Sequence, residues 1–187
     1  MSREGQRIKE LFERRENEFM LAKCRVKMRS SVENIDAGDY RIETLSEGQS
    51  VELLRWMAEE LVRLNLAESL DEPFEMEIFR AISREKMMGP LQLSALPQDF
   101  YLRMRRRVAY LDAVAREGRV KKEEYEKLRA VCYDLVGMRL SKLLSLSSTS
   151  AKAMDMGGKL TPEEREFFTL SQVSSLEWKA ALLGEGK

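Results

Sequence analysis

The residues in this chain best suited to chemistry are arginines, and they occur in two settings. The first is "RMRRR", which places Arg103, Arg105, Arg106 and Arg107 within five positions. Guanidinium groups hold phosphates, so a ridge of them could track a nucleic-acid backbone. The second is solitary. In "GMRLSKLL", Arg139 stands three residues before Lys142 in an otherwise apolar stretch. A cation there has to be met by carboxylates, because an unpaired buried charge costs several kcal/mol. Little else invites chemistry. Histidine, the commonest general base and metal ligand, is absent. No G-x-G-x-x-G, no G-x-x-x-x-G-K-[ST] and no G-x-S-x-G occurs. The acidic pairs Glu59–Glu60, Glu123–Glu124 and Glu163–Glu164 read as solvated residues on polar helix faces. We therefore expect no enzyme, no catalytic residue, no cofactor and no metal.

Whether the arginines act together depends on the helix that carries them. At 100° per residue, Phe100, Tyr101, Met104, Val108, Leu111 and Ala115 fall within an arc of about 100°, the width of a core-facing stripe. Arg106 then points away into water, with Arg103 and Arg105 flanking it too widely to make one ridge. Arg107 sits at the edge of the apolar stripe, placed to find a carboxylate. On the next helix Tyr125, Leu128, Cys132, Leu135, Leu143 and Leu146 define an apolar face, with Arg139 near its centre and Lys142 at its border. Two readings stay open. Arg139 meets an acid from a neighbouring helix, with Asp99 a candidate, or the face is a subunit interface. Both are structural.

Composition sets the frame for these helices. At 187 residues the chain makes one medium domain or two small ones. Its 32 basic and 32 acidic residues cancel, so no general affinity for phosphate backbones is expected. A charged share of 34% is high and suits helices laced with surface ion pairs. Two cysteines, Cys24 and Cys132, are too few for a disulfide framework or a metal motif and favour a reducing cytosolic compartment. No apolar run approaches a membrane span, and "MSREGQRIKE" is no signal peptide.

Read in order, the pattern predicts an α+β chain: a small β-rich N-terminal domain followed by an all-α helical bundle. Residues 1–19 form an N-terminal helix with a narrow stripe of Ile8, Leu11, Phe12 and Phe19, packing loosely or serving a partner. Residues 20–68 form the β-rich domain. Cys24, Val26 and Met28 alternate, then a turn at Gly38 leads to Tyr40, Ile42 and Thr44, and a turn at Gly48 leads to a strand from Ser50 to Leu53. These three strands should make one small sheet, followed by a helix with Trp56, Met57, Leu61 and Leu64 as its stripe. "AESLDEP" reads as the boundary, and residues 69–187 as a domain of four or five helices. The first has Phe74, Ile78, Phe79 and Ile82 on one side and ends before Gly89-Pro90. A polar loop, "SSTSAKAMDMGGK", precedes the last helix, whose start is the best marked in the chain: Thr161 as N-cap, Pro162 in the first position and Glu164 closing a capping box.

These residues carry a family likeness. "LPQDFY" opening a helix, then "EEYEKLRAVCYDLVGMRLSKLLSL", then "LTPEEREFF" resembles the helical domain of the GINS replication proteins. "EGQSVEL" running into "RWMAEELVRLNLAE" resembles the small β domain of the same family, although Leu54 stands where members often have a proline. Together these segments cover roughly residues 20 to 183. The small domain comes first, which is similar to the archaeal subunit conventionally called the two-three type.

The resemblance implies a non-enzymatic scaffold. It would pair with a permuted GINS paralogue, two-to-two as a heterotetramer, and join the MCM helicase to a Cdc45-like or RecJ-like protein and to polymerase or primase. It implies work at replication forks, in archaeal cytoplasm or a eukaryotic nucleus. Phe100, Tyr101, Arg139 and Lys142 carry over as structural or interface positions, and Arg107 joins them from the helix geometry. Two rivals stand beside it. A nucleic-acid-binding module would use Arg103 to Arg107 with Lys121 and Lys122, and an unrelated two-domain adaptor would be a stable monomer.

Overall fold

Alternating apolar and charged residues make strands on either side of the first turns, but the strands join differently from the expectation. The computed structural model describes residues 3–38, 40–149, 156 and 158–184. The chain divides into two units, Glu13–Glu72 and Met1–Phe12 with Pro73–Lys187, the first division falling within helix α1 (Arg3–Leu21). Of the expected α1 stripe, Phe19 is buried under the Arg55 guanidinium, 4.3 Å from the ring centroid. Leu11 and Phe12 are half-buried, and the side chain of Ile8 lies outside those described.

In the smaller unit β1 (Lys23–Met28) turns Lys23, Arg25 and Lys27 to solvent and buries Val26 and Met28, the period of two that its sequence encodes. β2 (Ile35–Ala37) and β3 (Tyr40–Ile42) pair with each other alone, Ile35 opposite Ile42, around Gly38 at φ 68°. The run through Tyr40 and Ile42 therefore does not join the main sheet. That sheet has the order β4-β1-β5, antiparallel throughout, with β4 (Ser50–Leu54) on one side of β1 and β5 (Ala67–Ser69) on the other. β5 lies in the stretch read as a boundary. It forms because helix α2 (Arg55–Arg63) ends on Asn65 at φ 60°, where the Leu66 N–H returns to the Leu61 carbonyl at 2.9 Å. This reversal sets Ala67 opposite Met28, where it is buried. Val26, Met28, Leu45, Leu53, Ala58, Leu61 and Ala67 make the core. Full burial of each large side chain is worth about 1.5–3 kcal/mol. Leu64, expected in the α2 stripe, is the exposed C-cap, and Ala58 fills that role.

The larger unit is built on α3 (Phe74–Met87), α4 (Phe100–Arg116), α5 (Lys122–Ser147) and α6 (Pro162–Leu183). Helix α5 is central and packs against the other three. Phe74, Ile78 and Ala81 from α3 meet Phe100, Leu111 and Val114 from α4 and Leu128, Cys132 and Leu135 from α5. Leu93, Leu143, Leu160 and Phe168 form a second cluster. Two expectations change. Phe79 is exposed, because the buried side of α3 runs through Phe74, Ile78, Ala81 and Glu85. Arg106 is half-buried, and Leu102 one turn before it is fully buried, so that side of α4 does not face open water. Gly118 at φ 70° closes α4 and allows the tight passage into α5. Ser147, read as the start of a loop, is the last residue of α5. The loop reading otherwise falls partly on residues 150–155 and 157, which lie outside those described. Among the described residues no helix is long and apolar enough to cross a membrane.

Candidate functional site

Helical spacing determines which polar groups are buried. On α5, Leu128, Cys132, Leu135, Arg139 and Leu143 recur at steps of four, three, four and four, so they share one face. Arg139 is among the most deeply buried side chains of the chain's described residues. Its carboxylates are Glu85 and Glu164. Asp99, the candidate named above, instead stands at the start of α4. Glu85 comes from α3 by the same rule, at steps of four, three and four after Phe74. Glu164 comes from α6 because Thr161 caps that helix. The Glu164 N–H donates to Thr161 Oγ1 at 3.3 Å, and the Thr161 N–H donates to Glu164 Oε2 at 3.1 Å. The cap fixes where that carboxylate sits. Glu164, expected in solvent, is therefore buried.

All five N–H donors of Arg139 are used. Nε donates to Glu164 Oε1 and Nη2 to Glu164 Oε2 at 2.7 Å, a bidentate fork. Nη2 also donates to the Lys159 carbonyl at 3.2 Å. Nη1 donates to Glu85 Oε2 at 2.8 Å and to the Ser94 carbonyl at 2.9 Å. The acids are equally occupied. Glu85 accepts from the Ser94 N–H at 3.1 Å, the Ser94 hydroxyl at 2.7 Å and Lys142 Nζ at 2.8 Å. Lys142 Nζ also donates to the Glu85 carbonyl at 2.9 Å. Glu164 completes its set with the Tyr101 hydroxyl, 2.7 Å from Oε1. Each carboxylate thus takes four donors, about the number it can accept.

Two cations and two anions make the cluster neutral, and the surroundings of Glu85 and Arg139 favour their ionised forms. Burial would raise the Glu85 carboxyl, but hydrogen bonds from Lys142 and Ser94 and the charge of Arg139 hold it below the usual carboxylate range. Burial would lower Arg139, but the bonds and charge of Glu164 outweigh it and push the guanidinium above its ordinary value. Burial and the Glu164 charge push the Tyr101 phenol up. Buried charges gain this much only when every partner is present. The cluster fastens α3, α4, α5 and α6 to one another.

Of the residues singled out from sequence, Arg139, Lys142 and Tyr101 meet here. Phe100 lies beside them, fully buried, its ring 5.3 Å from Phe74 and edge-on to Tyr101 at 5.7 Å. Arg107 stands apart, its Nε donating to Glu75 Oε1 at 2.7 Å. Arg103 pairs with Glu77 at 2.7 Å. Arg105 lies 5.6 Å from the centroid of the Phe12 ring. The carboxylates of α3 therefore neutralise half of the arginine run. Sequence reasoning passed over Glu85, which falls on the buried face of α3 only once Ala81 takes the place given to Phe79. Burial and the Glu75 charge push the Cys132 thiol up to about 11, and burial also raises Cys24 against the pull of Arg55. Neither is a reactive thiolate. Among the described residues no group of three or more His, Cys, Asp or Glu could hold a metal ion.

Comparison with known proteins agrees with this architecture. The family profile described as "Sld5: GINS complex protein helical bundle domain" matches residues 56–183, from α2 to the end of α6 and more than half of the chain. No curated protein matches the chain at a significant level. The segment matched contains all four helices that supply the cluster, and the chain belongs to the GINS family of DNA-replication complex subunits.

Proposed function

We propose that this chain is a non-catalytic scaffold subunit that assembles with a permuted, small-domain-last paralogue as a two-to-two heterotetramer. In this reading it is the small-domain-first, two-three type, with residues 20–68 as the β-rich domain and 69–187 as the helical one. It links the MCM helicase to a Cdc45-like or RecJ-like protein, and to polymerase or primase, at archaeal or eukaryotic replication forks. Phe100, Tyr101, Arg139 and Lys142 serve it by holding the helices in place.

One observation carries the reading: the cluster uses its charges internally while α6 leaves large apolar side chains outside. Lys179 Nζ donates to the Ser148 carbonyl at the end of α5, at 3.1 Å, whereas α6 begins beside Arg139. The last turn of α6 therefore runs past α5. Val173, Leu176, Trp178, Leu182 and Leu183 are all exposed, Trp178 at 67%. Val173, Leu176 and Leu183 lie on one side of α6 and Trp178 and Leu182 on another, so this end of the helix offers apolar side chains for a partner to cover. The deciding experiment is mass by light scattering after gel filtration, for the chain alone and co-expressed with a small-domain-last paralogue from the same genome. A discrete tetramer with the paralogue, lost in a Leu176→Asp, Trp178→Asp variant, is the expected result. A monomer that ignores the paralogue overturns it and leaves the adaptor reading.

A further inference from the structure

Between α4 and α5 lies a trough of about 480 Å³. Its floor is apolar, with Met104 and Val108 from α4 and Cys132 and Val136 from α5. One arginine from each helix lines it, Arg105 and Arg129. Arg7, Arg103, Arg107, Arg116, Arg119 and Arg139 each face a carboxylate. Arg105 and Arg129 have aromatic rings instead, Phe12 and Tyr133, the latter at 5.3 Å. The one acid lining the trough, Asp112, is already bonded to Arg116 at 2.6 Å. The trough is thus an apolar floor between two arginines that form no ion pair among the described residues, with Glu126 and Asp134 beside Arg129 on its outer side.

Its neighbour already has an aromatic side chain on its wall. A second basin of about 300 Å³ shares Met104, Arg105 and Val136 with the trough, and Phe12 from α1 lines it. One helix of this chain already sets an aromatic side chain there, against Arg105. Among the described residues no aromatic side chain from another helix lines the larger basin as Phe12 lines the smaller, and Tyr133 on its edge is 65% exposed.

We propose that the α4–α5 trough is a docking site for a short acidic, amphipathic helical segment of a partner protein. An aromatic or leucine anchor would lie over Val108 and Val136, with carboxylates reaching Arg105 and Arg129. Helix-in-groove recognition uses apolar anchors one turn apart, and the flanking charges set its polarity. The proposal stands apart from the assembly reading, which rests on α6.

The test is a methyl NMR titration of the full chain with a synthetic peptide of about three helical turns. The peptide carries Phe and Leu one turn apart, flanked by glutamates, and a control replaces the glutamates with lysines. The glutamate peptide should move the Met104, Val108 and Val136 methyls. Arg129→Glu should weaken it by about tenfold or more and let the lysine peptide bind in its place. Equal binding of both peptides to the unaltered chain, or no movement of these methyls, overturns the proposal. Concentration-dependent shifts of the same methyls without peptide overturn it too, and name a second copy as the occupant.

Discussion

Arg139 is held by acceptors on three sides, and this decides what its removal would do. In Arg139→Ala two buried carboxylates lose their main counter-charge, and Glu85 retains only Lys142 and Ser94. Breaking a buried pair from one side costs about 3–5 kcal/mol. Urea unfolding of Arg139→Ala should show a loss of that order, and Arg139→Lys should recover only part, since an ammonium cannot span both acids. A loss under about 1 kcal/mol would mean that the cluster contributes little to stability. Acid should attack the same place. The Glu85 carboxyl sits below its unfolded value of about 4.3, so its contribution is present above that pH and is lost as pH falls through the folded value. The urea midpoint should hold steady down to about pH 5 and then drop. Glu85→Gln should start lower and drop less. Equal slopes in both proteins would assign the acid loss to other carboxylates.

The start of α6 shows how one element serves two purposes. Thr161, fully buried, caps the helix and fixes the backbone of Glu164, which then faces Arg139. Loss of a threonine cap costs about 1 kcal/mol on average. Thr161→Ala should cost more, about 2 kcal/mol, because it loosens a carboxylate that the cluster needs. In Arg139→Ala the same change should return to the ordinary cap value, which a double-mutant cycle by urea unfolding would measure. Additive losses would separate the cap from the cluster. This element was legible in sequence because its signals are local: Thr161, Pro162 and Glu164 lie within one turn. The α5 face was legible for the same reason, including the misfit of Arg139. What pairs with Arg139 was not, because Glu85 is 54 positions away and, within "SREKMM", looks like any charged helix end. β5 was missed on similar grounds. Three residues are too short for a periodic signal, and Ala67 becomes a strand residue only through its register with Met28.

For the whole molecule, the balance of 32 basic and 32 acidic residues is matched by local pairing, so the arginine run does not act as a unit. Arg103 and Arg107 face Glu77 and Glu75 on α3, and Arg105 lies beside Phe12. A phosphate backbone arriving there would have to displace those carboxylates, while counterion release rewards only charges free to meet it. Fluorescence anisotropy of a labelled duplex at about 0.15 M salt should therefore give binding weaker than the ~10⁻⁴–10⁻⁶ M of ordinary non-specific binders. Glu75→Gln with Glu77→Gln should strengthen it, by freeing two guanidiniums on the same helix. Micromolar binding by the unaltered chain, falling steeply with salt, would instead show that the ion pairs open for DNA. The arginines would then be a grip that α3 keeps closed until it is needed.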